Sequence, residues 1–168
     1  AVSGLTAIVE GRAVLLSWTN PKSRADGTRL RDLTTLRVYR REEPGTAEPK
    51  PAMLSWGSVV GYEEVATIRL ADPTPTKVEG GDVTWADRKN LSVGHRYVYV
   101  VTAHDGIGRS SPPSERLAVT FLAAPLPPRT LTATSGDSTV RLQWTPPAGL
   151  VDGSPMAGSL AYEVLRAA

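Results

Sequence analysis

The chain has 168 residues, 40% of them hydrophobic and 21% charged, with a formal net charge of +2. That length allows one or two domains, and no apolar run approaches the ~20 residues that a membrane-spanning helix requires. There is no cysteine, which excludes disulfides, thiolate metal sites and a cysteine nucleophile, and so small a positive surplus gives no electrostatic footprint for nucleic acid.

In chain order, residues 12–18 place Val14, Leu16 and Trp18 on one face of a strand by period-two alternation. Asn20-Pro21 ends it, and a polar loop follows with Asp26-Gly27 as its turn signal. Lys22, Arg24, Arg29 and Arg31 cluster in this loop. They are candidates for contact with an acidic partner or lipid headgroups, against the plainer reading of a solvated loop. Residues 35–41 form a second strand, with Leu36 and Val38 facing one way and Arg37, Tyr39 and Arg41 the other.

Residues 42–57 are rich in proline and charge and read as a long loop. Within and just after it lies an apolar cluster: Met53, Leu54 and Trp56, continuing to Val59 and Val60. Such a cluster on a loop either folds back on its own domain or covers a partner, and Trp is enriched at binding hot spots. Residues 62–70 are strand-like, 71–82 are turn-rich, and 83–86 form a short strand. Residues 96–104 give the strongest strand, with Tyr97, Tyr99, Val101 and Ala103 sharing one face. A turn over 106–113 leads to a last strand in which Leu117, Val119 and Phe121 alternate. No segment holds a 3.6-residue apolar period, so seven short strands separated by turns predict an all-β antiparallel sandwich, with a small closed barrel as the runner-up.

Residues 123–129, with Pro125, Pro127 and Pro128, read as a stiff linker. After it the chain repeats itself. Residues 130–167 match 4–41 without a gap at an offset of 126: Leu131, Val140, Leu142, Trp144, Pro147, Asp152, Gly153, Val164 and Arg166 repeat Leu5, Val14, Leu16, Trp18, Pro21, Asp26, Gly27, Val38 and Arg40. A repeat of this length predicts tandem domains: a sandwich over 1–122, the linker, and strands A to C of a second sandwich over 130–168. About 40 residues without disulfide or metal are rarely stable alone. The strands that would cover Trp144, Leu142 and Val164 are expected from a longer polypeptide or from another chain.

Together these features resemble a bacterial fibronectin type III domain. Trp18 stands where that family places its strand B core tryptophan. Leu91, Gly94 and Tyr97 match its corner between strands E and F, and residues 97–114 match its F strand, F–G turn and start of strand G. The resemblance implies an immunoglobulin-like sandwich with Leu16, Trp18, Val38, Leu91, Tyr97, Tyr99 and Val101 in its core, and Trp144 as the repeat of Trp18. The repeat is longer than the family's usual domain. The surplus falls in 42–61, between strands C and C', and in 71–82.

The chemistry of a catalyst is sparse. His95 and His104 are the two histidines, too few for a metal centre and expected at the surface. His104, Asp105, Ser110 and Ser111 include the residue types of a hydrolytic triad, but such groups normally converge from separate elements. Asp82 and Asp87 would need further oxygen ligands to hold Ca²⁺. No cofactor, metal or enzymatic activity is expected. The expectation is an extracytoplasmic scaffold or docking module that contacts other protein subunits through Met53, Leu54, Trp56 and Val59, then Arg24, Arg29 and Arg31. Membrane association would come only through a partner or a lipid anchor ahead of Ala1. The alternative is an accessory module of a secreted polysaccharide-active or other hydrolytic enzyme. Direct carbohydrate binding would call on Trp56, Tyr39 and Trp85, for which the sequence offers no common face.

Overall fold

The computed structural model describes residues 1–45, 51–122, 124–151, 155–156 and 160–166. The chain divides into two compact units, Ala1–Leu122 and Ala123–Ala168. The described residues of the first form ten strands: β1 (Ser3–Glu10), β2 (Ala13–Thr19), β3 (Leu33–Glu42), β4 (Leu54–Ser55), β5 (Ser58–Val59), β6 (Glu63–Arg69), β7 (Lys77–Glu79), β8 (Asp82–Asp87), β9 (Arg96–Asp105) and β10 (Leu117–Thr120). One sheet runs β1-β2-β8-β7 and the other β10-β9-β3-β6, every pair antiparallel. Two four-stranded antiparallel sheets in this order form an immunoglobulin-like β-sandwich with the strand arrangement of a fibronectin type III domain.

The alternating positions of facing strands fill the space between the sheets. Val14, Leu16 and Trp18 from β2 meet Leu36 and Val38 from β3 and Tyr97, Tyr99, Val101 and Ala103 from β9, with Val83, Ile68 and Phe121 closing the core. Trp18 is 2% exposed, while Leu91 is half-buried and packs at the margin. At the turn before β9 the Tyr97 hydroxyl accepts the Ser92 backbone N–H at 2.9 Å. Gly94 there has φ 85°, a left-handed conformation that a Cβ would disfavour.

Two stretches expected as loops carry strands. The 42–57 loop contains β4, which pairs with β5 just beyond it, and the 71–82 turn region contains β7. Five of the insertion's residues, 46–50, lie outside the described residues.

The second unit pairs β11 (Arg129–Gly136) with β12 (Thr139–Thr145). The hairpin reproduces β1–β2 position by position: Thr132↔Gln143 and Ala133↔Leu142 match Thr6↔Ser17 and Ala7↔Leu16, and the same register shift falls between Arg129 and Thr132 as between Ser3 and Thr6. The extended linker is bonded within this unit, Leu126 N–H to Gly149 O at 3.0 Å and Val151 N–H to Ala124 O at 2.9 Å. Residues 160–166, the repeat of β3, form no strand; β3 itself is held by β9 on one side and β6 on the other, and no counterparts of these occur among the described residues of the second unit. Trp144 is half-buried and meets the Tyr162 ring edge-on, centroids 5.2 Å apart. The repeated Asp152-Gly153 turn lies outside the described residues.

Candidate functional site

Strand β9 is buried on both faces, which alternation alone would not give to a sheet with one wet side. At Val100 the cover is the insertion. Val59 and Leu54, cross-strand partners in the hairpin, turn inward with Ala52 and Tyr62 onto Tyr39 and Val100 and form a second small core on the outer face of the β10-β9-β3-β6 sheet. The Tyr39 hydroxyl donates to Gly57 O at 3.2 Å, tying the hairpin turn to the sheet beneath.

This corrects part of the expected contact surface. Val59 is 2% exposed and Leu54 is half-buried, so both serve internal packing. Because side chains alternate along a strand, their neighbours face out: Met53 is 64% and Val60 56% exposed, and Val60 N–H donates to Met53 O at 2.9 Å. Trp56 at the tip is fully exposed, with φ 50°, followed by Gly57 with φ 80°. Of the other aromatics considered for sugar contact, Tyr39 is buried and Trp85 is packed against the main core. Trp56 therefore stands without an aromatic row.

The basic loop between β2 and β3 is only partly free. Arg24 donates to Asp105 Oδ2 at 2.9 Å and to Asp32 Oδ1 at 2.5 Å. The Asp105 carboxylate, almost fully covered, also receives Arg109 Nε at 2.7 Å and the backbone N–H groups of Ile107 and Arg109. These bonds, the one from Arg24 foremost, hold the Asp105 carboxyl well below the usual carboxylate range. Arg24 is thus a clamp between the β2–β3 loop and the end of β9, while Arg29 and Arg31 remain exposed. Beside the clamp an open groove of about 850 Å³ is lined by Asn20, Lys22, Leu33, Ser111 and Pro112 among others.

The residue types of a triad do meet in part. Ser110 Oγ lies 2.9 Å from His104 Nδ1, and His104 Nε2 lies 2.8 Å from Thr102 Oγ1. The orienting carboxylate of a triad is replaced by a threonine hydroxyl, since Asp105 is turned to Arg24 and Arg109. His104 is buried rather than at the surface; desolvation and then the Arg37 charge lower its pKa. His95 is exposed and pairs with Glu42 Oε1 at 2.7 Å. Of the two aspartates considered for Ca²⁺, Asp82 accepts the Thr19 hydroxyl at 2.7 Å and Asp87 is buried.

Asp87 belongs to a cluster that the sequence did not announce. Its Oδ2 accepts Arg40 Nη1 at 2.8 Å and the Tyr99 hydroxyl at 2.9 Å, all three buried. Arg40 also donates to Lys89 O at 2.6 Å and lies 5.3 Å over the Tyr97 ring. Burial, then the Asp87 charge, pushes the Tyr99 phenol far above its usual range. The cluster joins β8 in one sheet to β3 and β9 in the other. Its separations along the chain, 47 residues for Arg40–Asp87, leave no local signature.

No family model matches the chain. Among curated proteins it is similar to Exoglucanase B of Cellulomonas fimi, 30% identical over 155 residues, which cover 85% of this chain and 13% of the exoglucanase. The aligned stretch is longer than the first unit and so takes in residues of both. The chain spans about an eighth of that relative's length. Among solved structures it is similar to the twitchin kinase region from C. elegans, with TM-score 0.42 and 19% identity over 68% of this chain and 15% of that one. A second, titled "Myokine structure", has TM-score 0.38 and 15% identity over 73% of this chain and 96% of that one.

Proposed function

We propose that this chain is a non-catalytic interaction module of a larger, secreted bacterial protein, and that the parent is a polysaccharide-active enzyme. The observation that carries this reading is the likeness to Exoglucanase B, which takes in residues of both units yet involves only 13% of that protein. A stretch so small a part of a hydrolase fits an accessory role, with the catalytic centre elsewhere in the polypeptide. The sandwich supports the same reading: it is a rigid frame that presents loops, and function on such a frame lies in sites added to it. Here the added parts are the β4–β5 hairpin and the exposed arginines Arg29 and Arg31, which we propose as the contact surfaces.

The test is to express the full-length gene product and a version lacking residues 1–168. The expected outcome is hydrolysis of a soluble glucan by both at equal kcat, with lower yield from the shortened protein on insoluble polymer. A full-length product that hydrolyses no polysaccharide would return the module to the alternative role of an envelope scaffold.

A further inference from the structure

We propose that the tip of the β4–β5 hairpin is a contact site for a neutral polysaccharide chain, with the Trp56 indole as its stacking platform. This rests on the polysaccharide-active parent and names the ligand that the module would meet.

Trp56 is a residue that the fold does not explain. Ser55 and Ser58 are paired across a two-residue turn, and both turn residues, Trp56 and Gly57, have positive φ. Such a turn is served without strain by Asn-Gly or Asp-Gly. A bulky side chain in the left-handed region is an outlier. Trp56 gains nothing in return from packing, because its side chain is fully exposed. A large apolar side chain, uncovered on a backbone that disfavours it, points to contact outside the chain.

The presentation is rigid. Val59 and Leu54 anchor the hairpin in the small core on Tyr39 and Val100, and the Tyr39 hydroxyl holds the turn at Gly57 O. A site fixed before the ligand arrives loses less entropy on binding. The surroundings define the ligand's chemistry. No side chain from Pro51 to Tyr62 is charged, and the charges that reach the segment, Arg41 beside Gly61 and Glu43 and Arg116 near Tyr62, stand at its base rather than beside Trp56 in sequence. Protein partners and anionic lipid are commonly met by charges around an apolar centre. Here the flanks are the hydroxyls of Ser55 and Ser58, with Met53 and Val60 exposed behind them. An uncharged ligand with a flat C–H face for the indole and hydroxyl edges for the serines is a sugar ring.

The experiment is affinity electrophoresis of the 168-residue chain through gels containing soluble mixed-linkage β-glucan, beside Trp56→Ala and Trp56→Asn. The expected result is retardation of the natural sequence and about a tenfold weaker apparent affinity in both variants, the scale of removing a central aromatic contact. Thermal unfolding separates function from folding: Trp56→Asn, suited to the left-handed turn, leaves Tm unchanged or raises it. Equal retardation of all three proteins overturns the proposal, as does a Tm lowered by Trp56→Asn. Binding of the natural sequence to anionic vesicles or to a protein partner with no retardation by glucan also overturns it. The parent's hydrolytic activity is measured separately, so the contact can fail while the parent reading stands.

Discussion

Arg40 and Asp87 are charged side chains held where charge is expensive. The pair is 7% and 1% exposed at its side chains, and two charges removed from water are tolerated only when their geometry and remaining hydrogen bonds are good. Here they are: Asp87 accepts from both Arg40 and Tyr99, and Arg40 also reaches the Lys89 carbonyl. Replacing Asp87 by Ala leaves a guanidinium buried without its main counter-charge. The expected loss is about 3–5 kcal/mol of folding stability, the range for breaking a buried pair from one side, read from urea denaturation at pH 7. Tyr99→Phe removes one hydrogen bond to a carboxylate and is expected to cost about 1.5–3 kcal/mol. A loss below 1 kcal/mol at Asp87 would mean that water reaches the pair. In the sequence Arg40 follows Leu36 and Val38 at period-two spacing, so alternation puts a charge on the inward face. The partners that make its burial tolerable come from two other strands. Reading charge as solvent-facing therefore misplaces it, as reading a lone histidine as superficial misplaces His104.

At the scale of elements, period-two alternation located β2, β3 and β9 because each buries one face against a core that extends along the whole strand. The β4–β5 hairpin escaped because its strands are two residues each, too short for any period. Its turn also uses Trp-Gly in place of Asn-Gly. A signal was still present: two apolar pairs, Met53-Leu54 and Val59-Val60, symmetric about Ser-Trp-Gly-Ser. The symmetry allows a clear test, because a register slip of one residue would exchange every inward side chain for an outward one. Val59→Ala should lower stability by about 2 kcal/mol, from two lost methyl groups and the cavity left against Tyr39 and Val100. Val60→Ala should change it by less than about 0.5 kcal/mol, as expected at an exposed site. Equal losses at the two valines, or the reverse order, would show that the hairpin does not sit on the sheet with Val59 inward.

At the scale of the whole molecule, one sequence pattern occurs in two environments. Val14, Leu16 and Val38 are fully buried, whereas their repeats Val140, Leu142 and Val164 are 68%, 37% and 59% exposed. The hairpin register is the same in both copies, so local sequence accounts for the hairpin and its bulge. It does not account for burial, which comes from strands far along the chain. β2 is hydrogen-bonded on both sides, by β1 and β8, and its apolar face meets β3 and β9 across the sandwich. β12 is bonded to β11 alone among the described residues. Identical substitutions at equivalent positions should therefore differ in consequence. Leu16→Ala is expected to remove about 2–5 kcal/mol from the first unit, the range for a buried leucine. Leu142→Ala in the same 168-residue chain should leave its unfolding within about 0.5 kcal/mol. Denaturant titrations of the two variants, with amide hydrogen exchange to assign each loss to its unit, make the comparison. If Leu142→Ala proved as damaging as Leu16→Ala, the face bearing Val140 and Leu142 would have to be covered in solution, and sedimentation across a concentration series would then show whether a second copy of the chain covers it.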